Sequence, residues 1–391
     1  MGSRHFPART VLFEKESSGV TYRVPALLYL PCVAKLLAFA EERLSSDDAH
    51  ANLLVLRRGT VYGSYVEWED MRVLETATLQ HHRSMNPCPL YDEFTGTLFL
   101  FFITVLGRTP EAYQIVTGQN VTQVVSGYHI DCKECFGQLC KTTPHSFAFY
   151  SDDHGRGWRF GEFIPNLQTG ECQLVSVDEE DGSNILYCNA RSPLGFRVQA
   201  LSTDDGAVFH GGQLVQRLDE LPTMSTGSHH KPAKPKEAPG HLSHAGSVTV
   251  VQGDPAATSS PAAFFQAPTW VLYSHPTSSM SRVNMGVHLS TFPRDVESWT
   301  APWVIYEGPS AYSDLAYMEL PYGEASISGS SSIAFACLFE NGTRSPYEQI
   351  SFSMFTLHDV LQNIPLTAAA PRRDSSPPRC GKWGRRSCLI S

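Results

Sequence analysis

The chain has 391 residues, 42% of them hydrophobic and only 18% charged, enough to bury a substantial core and incompatible with wholesale disorder or a collagen-like fibre. Thirty basic residues against 39 acidic give a net charge of −9, so no overall positive field is present to hold nucleic acid. The longest central apolar run, LFLFFITVL at 98–106, falls far short of the ~20 residues a membrane-spanning helix needs.

Taken in order, the chain reads as short apolar or alternating segments at 26–30, 53–56, 98–103, 146–150, 198–201, 248–251, 270–273, 332–338 and 350–355. Gly, Pro, Asn or Asp separate them, and 29 Gly and 26 Pro supply the turns. Helical periodicity is nearly absent, which predicts one large all-β architecture. Two stretches, Ser151-Asp152-Asp153-His154-Gly155-Arg156-Gly157-Trp158 and Ser202-Thr203-Asp204-Asp205-Gly206-Ala207-Val208-Phe209, share the frame S-x-D-x-G-x-x-aromatic at an offset of 51 residues. A four-stranded blade takes ~40–50 residues, so the repeat favours a β-propeller over a sandwich. In each frame Asp is expected to bond backbone amides, Gly to take positive φ and the aromatic to pack between sheets. Residues 222–245 and 252–263, rich in Pro, His, Lys and Gly, are expected to be rim loops. The organisation expected is a propeller over 1–364 and an unfolded basic tail over 365–391.

The opening MGSRHFPART carries no apolar stretch of secretory type, which predicts a cytosolic chain. There the ten cysteines are thiols by default. Cys132, Cys135 and Cys140, with His129 and His145 near, lack the second ligand pair of a zinc site and are read as loop thiols, so no metal is expected. The sequons at Asn120 and Asn341 would be idle in that compartment. No nucleotide or redox cofactor motif is seen, and no cofactor is expected.

Tyr22-Arg23-Val24-Pro25 resembles the Tyr-Arg-Ile-Pro segment near the start of sialidases, and the two repeated frames resemble their Asp boxes. LLAFAEER (36–43), HRSMNPCPLYD (82–92), Glu171-Cys172-Gln173, Asn189-Ala190-Arg191, YSHPT (273–277) and AYSDL (311–315) extend the resemblance over roughly residues 10 to 360. The chain is most similar to the animal cytosolic and plasma-membrane, ganglioside-type sialidases. That resemblance implies a six-bladed propeller and a retaining exo-α-sialidase acting on gangliosides, glycoproteins or oligosaccharides.

Sialic acid carries a carboxylate on its anomeric carbon, for which forked, permanently charged guanidiniums are the best partners. Arg23, Arg191 and Arg282 match the family's arginine triad. Arg43 resembles the further arginine near the 4-hydroxyl, and Glu41 the acid that orients the first arginine. An anionic nucleophile would be repelled by the substrate's own carboxylate, which is why sialidases use tyrosine. Tyr312 matches that nucleophile, Glu171 its base and Asp48 the acid/base at the leaving oxygen. Asn86, Glu111 and Tyr128 match positions that line the sugar pocket.

The chain departs from the family after Thr122, where an Asp box and further strands, about one blade's worth, are expected and the sequence passes instead to Val124-Val125-Ser126-Gly127-Tyr128. His244-Ala245 replaces a His-Gly-Cys-Gln, and Asn284-Met285-Gly286 an Asp-Leu-Gly. Such a gap keeps a second reading open: a sialoglycan-binding or scaffold propeller without turnover. The chain ends in Cys388-Leu389-Ile390-Ser391, a C-a-a-X pattern with Cys388 as lipidation candidate, preceded by Arg372, Arg373, Arg379, Lys382, Arg385 and Arg386 and by Cys380. This predicts peripheral attachment to the inner membrane leaflet.

Overall fold

Alternating side chains and frequent turn residues make the regular structure of the described residues almost wholly antiparallel strand. The computed structural model describes residues 5–107, 126–130, 142–179, 182–219, 247–252, 269–321 and 331–364. In chain order the strands are β1 (Arg9–Glu14), β2 (Thr21–Leu30), β3 (Lys35–Arg43), β4 (Ala51–Tyr62), β5 (Tyr65–Trp68), β6 (Arg72–Val73), β7 (His82–Asp92) and β8 (Thr97–Leu106). There follow β9 (Ser126–Ile130), β10 (Thr142–Ser146), β11 (Phe149–Tyr150), β12 (Arg159–Phe160), β13 (Cys172–Asp178), β14 (Asn184–Ala190), β15 (Phe196–Ser202) and β16 (Gln213–Asp219). The last are β17 (Ser247–Gln252), β18 (Thr269–Pro276), β19 (Val283–Ser290), β20 (Trp303–Pro321), β21 (Ser331–Asn341) and β22 (Gln349–Thr356), before a short helix α1 (Leu357–Asn363).

These strands form the sequential antiparallel sheets of a propeller. β2-β3-β4-β5, with β6 on β4, make one sheet and β13-β14-β15-β16 another. A continuous sheet, β17-β18-β19-β20-β21-β22-β1, is two sheets joined through the 19-residue β20. β1 pairs with β22, so the first and last of the described strands meet in one sheet. Apolar clusters lie between neighbouring sheets. One joins Leu12, Leu36 and Val55 to Met318 and Leu338; others join Tyr187 and Val215 to Tyr273 and Trp299, and Ala51 to Met85 and Ile103.

Every segment expected to be extended lies on a strand, with 146–150 interrupted at Phe147 and Ala148 between β10 and β11. The repeated frame is reproduced atom for atom. Ser151 Oγ donates to Asp153 Oδ1 (2.8 Å) and accepts from Gly155 N (2.8 Å), while Gly157 N donates to the same Asp oxygen (2.8 Å). Ser202, Asp204, Gly206 and Val208 repeat this at 2.7, 2.9 and 2.9 Å. Gly155 and Gly206 take φ of +82° and +89°. Backbone N–H groups from Gly157 and Val208 hold Asp153 and Asp204 below the usual carboxylate range. Trp158 packs on Phe99, Phe101 and Phe149, and Phe209 is buried beside Ala148 and Ile164.

The sheets from β7 to β12 are thinner among the described residues. β7-β8 and β11-β12 are two-stranded among the described residues, and they meet through that Phe99, Phe101, Phe149 and Trp158 cluster. Asp92 Oδ2 also reaches His154 Nδ1 at 2.9 Å, and Phe94 stacks on His154. The first Asp-box turn therefore packs directly on the β7-β8 hairpin. The rim stretch 222–245, the Cys132–Cys140 loop and the tail lie outside the described residues; Gln252, expected in a rim loop, ends β17.

Candidate active site

β-Bulges interrupt the strands where the candidate side chains sit. Register shifts fall between Arg23 and Ala26 on β2, Glu42 and Arg43 on β3, Met85 and Cys88 on β7, Val283 and Met285 on β19, and Ser310 and Ser313 on β20. A bulge adds a residue to one strand and re-aims its side chains, which lets a regular sheet turn several functional groups to one place. Val24 (φ +51°) and Asn86 (φ +53°) lie in these bulges in the left-handed region. For β-branched Val24, which also precedes Pro25, that backbone is strained and persists because Val24 N donates to Glu340 at 2.9 Å.

Tyr312, from β20, donates its hydroxyl to Glu171 Oε1 at 2.9 Å. Glu171 stands just before β13, and its other oxygen accepts from Arg191 Nη1 at 3.1 Å. The guanidiniums of Arg23 and Arg282 lie 5.6 and 5.5 Å from the Tyr312 ring centre. Both arginines are buried, at 5% exposure each. Burial, then the Glu171 charge, pushes the Tyr312 phenol well above its ordinary range, while Arg191, Arg282 and Arg23 pull it back. The phenol is thus held in its protonated form, donating to the Glu171 carboxylate.

Asp48 follows Asp47, which caps the short 3₁₀ turn Asp48–His50, and its side chain is 37% exposed. Its Oδ1 meets Arg43 Nη1 and, at 3.4 Å, Arg23 Nη1. Asp48 is thus a partly exposed carboxylate joined through Arg43 and Arg23 to the charged group around Tyr312.

One expected pairing is corrected. The acid holding Arg23 is Glu340, not Glu41. Glu340 is fully buried at the end of β21, with Oε1 accepting from Arg23 Nε (3.0 Å) and Val24 N, and Oε2 from Arg23 Nη2 (3.4 Å) and Tyr312 N (3.1 Å). Glu41 instead takes Nε and Nη2 of Arg43, at 2.7 and 2.6 Å, and the Asn86 backbone N–H at 2.6 Å. Residues two apart on a strand share a face, so Arg43 is Glu41's nearest cation even though Arg23 lies opposite it in the β2–β3 ladder. Burial raises the Glu41 carboxyl above its ordinary value and Arg43 opposes that rise.

The sequence reading also missed Tyr347 and Asp314. Tyr347 Oη accepts from Arg282 Nη1 at 2.7 Å, and its ring lies 4.1 Å from the Arg23 guanidinium. Asp314 on β20 accepts from Leu27 N (2.7 Å) and Gln173 Nε2 (3.1 Å), tying three sheets together near the site. For Glu340 the available signal was a lone Glu closing the apolar run 333–339 and for Asp314 its place within the tyrosine's own motif; Tyr347 had none. Asn86 is present through its backbone contact to Glu41. Tyr128 lies on β9 opposite Pro144, and Glu111 and Cys388 lie outside the described residues.

Sialidase-4 of Homo sapiens is 41% identical over 492 residues, spanning 97% of this chain and 99% of that protein. The chain belongs to the animal sialidase family. It is therefore grouped with glycoside hydrolases of exo-α-sialidase type. Sialidase-3 of Mus musculus is 37% identical over 414 residues, covering 90% and 95% of the two chains, and Sialidase-2 of Mus musculus 36% over 398 residues, covering 88% and 94%. The Sialidase-4 alignment runs over 492 residues against 391 here, so at least 101 of its positions have no counterpart in this chain. No family model matches the chain. The fold is shared with a Hadza microbial sialidase (TM-score 0.59, 17% identity, 90% of this chain and 69% of that one). It is shared also with the NanB sialidase of Streptococcus pneumoniae (TM-score 0.56, 10% identity, 90% and 71%).

Proposed function

We propose that the chain is a retaining exo-α-sialidase that removes terminal sialic acid from gangliosides and other sialoglycoconjugates, with Tyr312 as nucleophile. The observation that carries this reading is the Tyr312–Glu171 hydrogen bond set among Arg23, Arg191 and Arg282. The arginines take the sialoside carboxylate. Were the nucleophile a carboxylate about 4 Å from it, repulsion would cost roughly 4 kcal/mol at an effective dielectric of 20, close to a thousandfold in rate. A neutral phenol avoids that penalty.

In the first step the Tyr312 oxygen bonds to the anomeric carbon, the phenol proton passes to Glu171, and the aglycone oxygen leaves with a proton from Asp48. In the second, Asp48 takes a proton from water, which attacks the same carbon, and Glu171 returns its proton to the departing Tyr312 oxygen. Two displacements at one carbon retain the anomeric configuration. A lipid-borne substrate gives purpose to attachment through Cys388 and the basic tail.

Release of a fluorescent aglycone from a sialoside tests the activity, with sialyllactose and a ganglioside compared as natural substrates. Tyr312→Phe is expected to lower kcat at least about a thousandfold while leaving the affinity for sialic acid within a few-fold, since the clamp is untouched. Wild-type turnover by that variant overturns the nucleophile, and binding without hydrolysis by the wild-type chain establishes the scaffold reading instead. In animal cells Cys388→Ser should move the chain from membranes to the soluble fraction; unchanged partitioning removes the anchor.

A further inference from the structure

Arg23 and Arg282 come from distant parts of the chain, and their like-charged forks flank a shared pair of rings. Their guanidiniums lie 5.6 and 5.5 Å from the Tyr312 ring and 4.1 and 5.8 Å from the Tyr347 ring. Long arginine stems lose considerable freedom when fixed, and two cations near one another repel, so their separation has to be imposed by something rigid. Glu340 fixes Arg23 from one side. Tyr347 contacts both: its hydroxyl accepts Arg282 Nη1 at 2.7 Å, and its ring face lies against Arg23.

Tyr347 is itself tightly held. It stands in the turn between β21 and β22, where Glu348 accepts from the N–H groups of Thr343, Arg344 and Ser345 at 2.8, 3.1 and 3.0 Å. Ser345 Oγ accepts from Tyr347 N at 3.3 Å, and the Tyr347 carbonyl accepts from Thr21 Oγ1 at 2.7 Å, two residues before Arg23. The turn is thus clamped to the strand that carries the first arginine.

We propose that Tyr347 is a positioning residue of the carboxylate clamp. Its hydroxyl aims the Arg282 fork and its ring fixes the Arg23 guanidinium, so that both stand at the spacing a substrate carboxylate needs before that carboxylate arrives. Such preorganisation raises affinity by removing the ordering that binding would otherwise impose. The inference rests on the proposed sialidase reading. The two halves of the role separate chemically: Tyr347→Phe removes the hydroxyl and keeps the ring, whereas Tyr347→Leu removes both.

The test measures steady-state hydrolysis of a fluorogenic sialoside and equilibrium binding of two inhibitors, 2,3-unsaturated sialic acid and the same compound with its carboxylate reduced to a hydroxymethyl group. For Tyr347→Phe we expect the carboxylate inhibitor to bind about tenfold more weakly, ~1.4 kcal/mol, and the reduced one within about twofold of wild type. KM should rise by more than kcat falls, with the melting temperature unchanged. Tyr347→Leu should weaken the carboxylate inhibitor further still. Equal losses for both inhibitors, or no loss for the Phe variant, overturn the proposal, because a residue that merely shapes the pocket does not discriminate between a carboxylate and a hydroxymethyl group. Absence of wild-type turnover would overturn the proposed activity while the binding arm still decides the role of Tyr347; a chain that binds neither inhibitor overturns both.

Discussion

Replacing Glu340 by Gln changes almost no volume and removes one charge, which isolates what that carboxylate does. Each of its oxygens accepts two N–H groups: Arg23 Nε and Val24 N on one, Arg23 Nη2 and Tyr312 N on the other. An amide can offer its oxygen to only one of these pairs, and its NH2 then faces two donors. The less damaging orientation keeps the Oε1 contacts at 3.0 and 2.9 Å and leaves Tyr312 N, at 3.1 Å, against a donor. An unsatisfied buried N–H costs roughly 1–3 kcal/mol. Removing one partner of a buried ion pair costs roughly 3–5 kcal/mol, and Asp48 at 3.4 Å from Arg23 offsets a part of this. The expected destabilisation is about 4 kcal/mol in urea unfolding monitored by tryptophan fluorescence. Because the orphaned amide is that of the nucleophile, kcat should fall as well, and Glu340→Asp should not restore it, since a shorter stem cannot bridge Arg23 and Tyr312 together. A Gln variant within about 0.5 kcal/mol of wild type, with unaltered kcat, would refute this account of the buried carboxylate.

Acid should destabilise the fold through a buried histidine pair. Burial pushes His288 down from 6.5 to about 4, and His288 Nε2 meets His275 Nε2 at 2.9 Å while Nδ1 faces the Thr300 carbonyl at 2.8 Å. The unfolded chain therefore takes up this proton more readily than the folded one. Stability is whole above about pH 6.5 and is lost as pH falls toward 4, by on the order of 3 kcal/mol; melting of wild type and His288→Gln across that range should show the slope only in wild type. Gly155→Ala and Gly182→Ala both place a side chain at φ +82°, but an added Cβ at 155 would sit 2.4 Å from Phe99 Cζ while at 182 it meets nothing within 4 Å. Thermal melts should report a loss of about 1 kcal/mol at 182 and about 2–4 kcal/mol at 155; equal losses would show that the Asp-box turn does not pack on β8.

The residues by themselves determined whatever depends on near neighbours. Ser151, Asp153, Gly155 and Gly157 close their turn within seven residues, and Ser202 to Val208 do the same, so both turns were legible as a spaced pattern. Apolar alternation placed strands correctly where it was uninterrupted, as at 270–273 and 332–338, but not in β20, whose alternation is broken by the bulge between Ser310 and Ser313. The motif resemblance likewise named Tyr312, Glu171 and Arg191, which the structure joins by hydrogen bonds across as many as 141 residues.

Only the tertiary structure decided the partners. A lone Glu at the end of an apolar strand reads as a solvated terminus, and Glu340 becomes the counter-ion of Arg23 because the packing of the sheets that carry β2 and β21 brings together residues 317 apart in sequence. Glu41 looked equally suitable and was taken by Arg43, two residues along the same face. Tyr347 had no motif to announce it; its hydroxyl finds Arg282 across 65 residues and its ring finds Arg23 from the far end of the chain. The physical reason is common to all three. Residue type and spacing fix which local bonds a segment can make, but the choice among equally capable acids and rings rests on which sheets the apolar clusters press together, and that is settled only when the sheets pack.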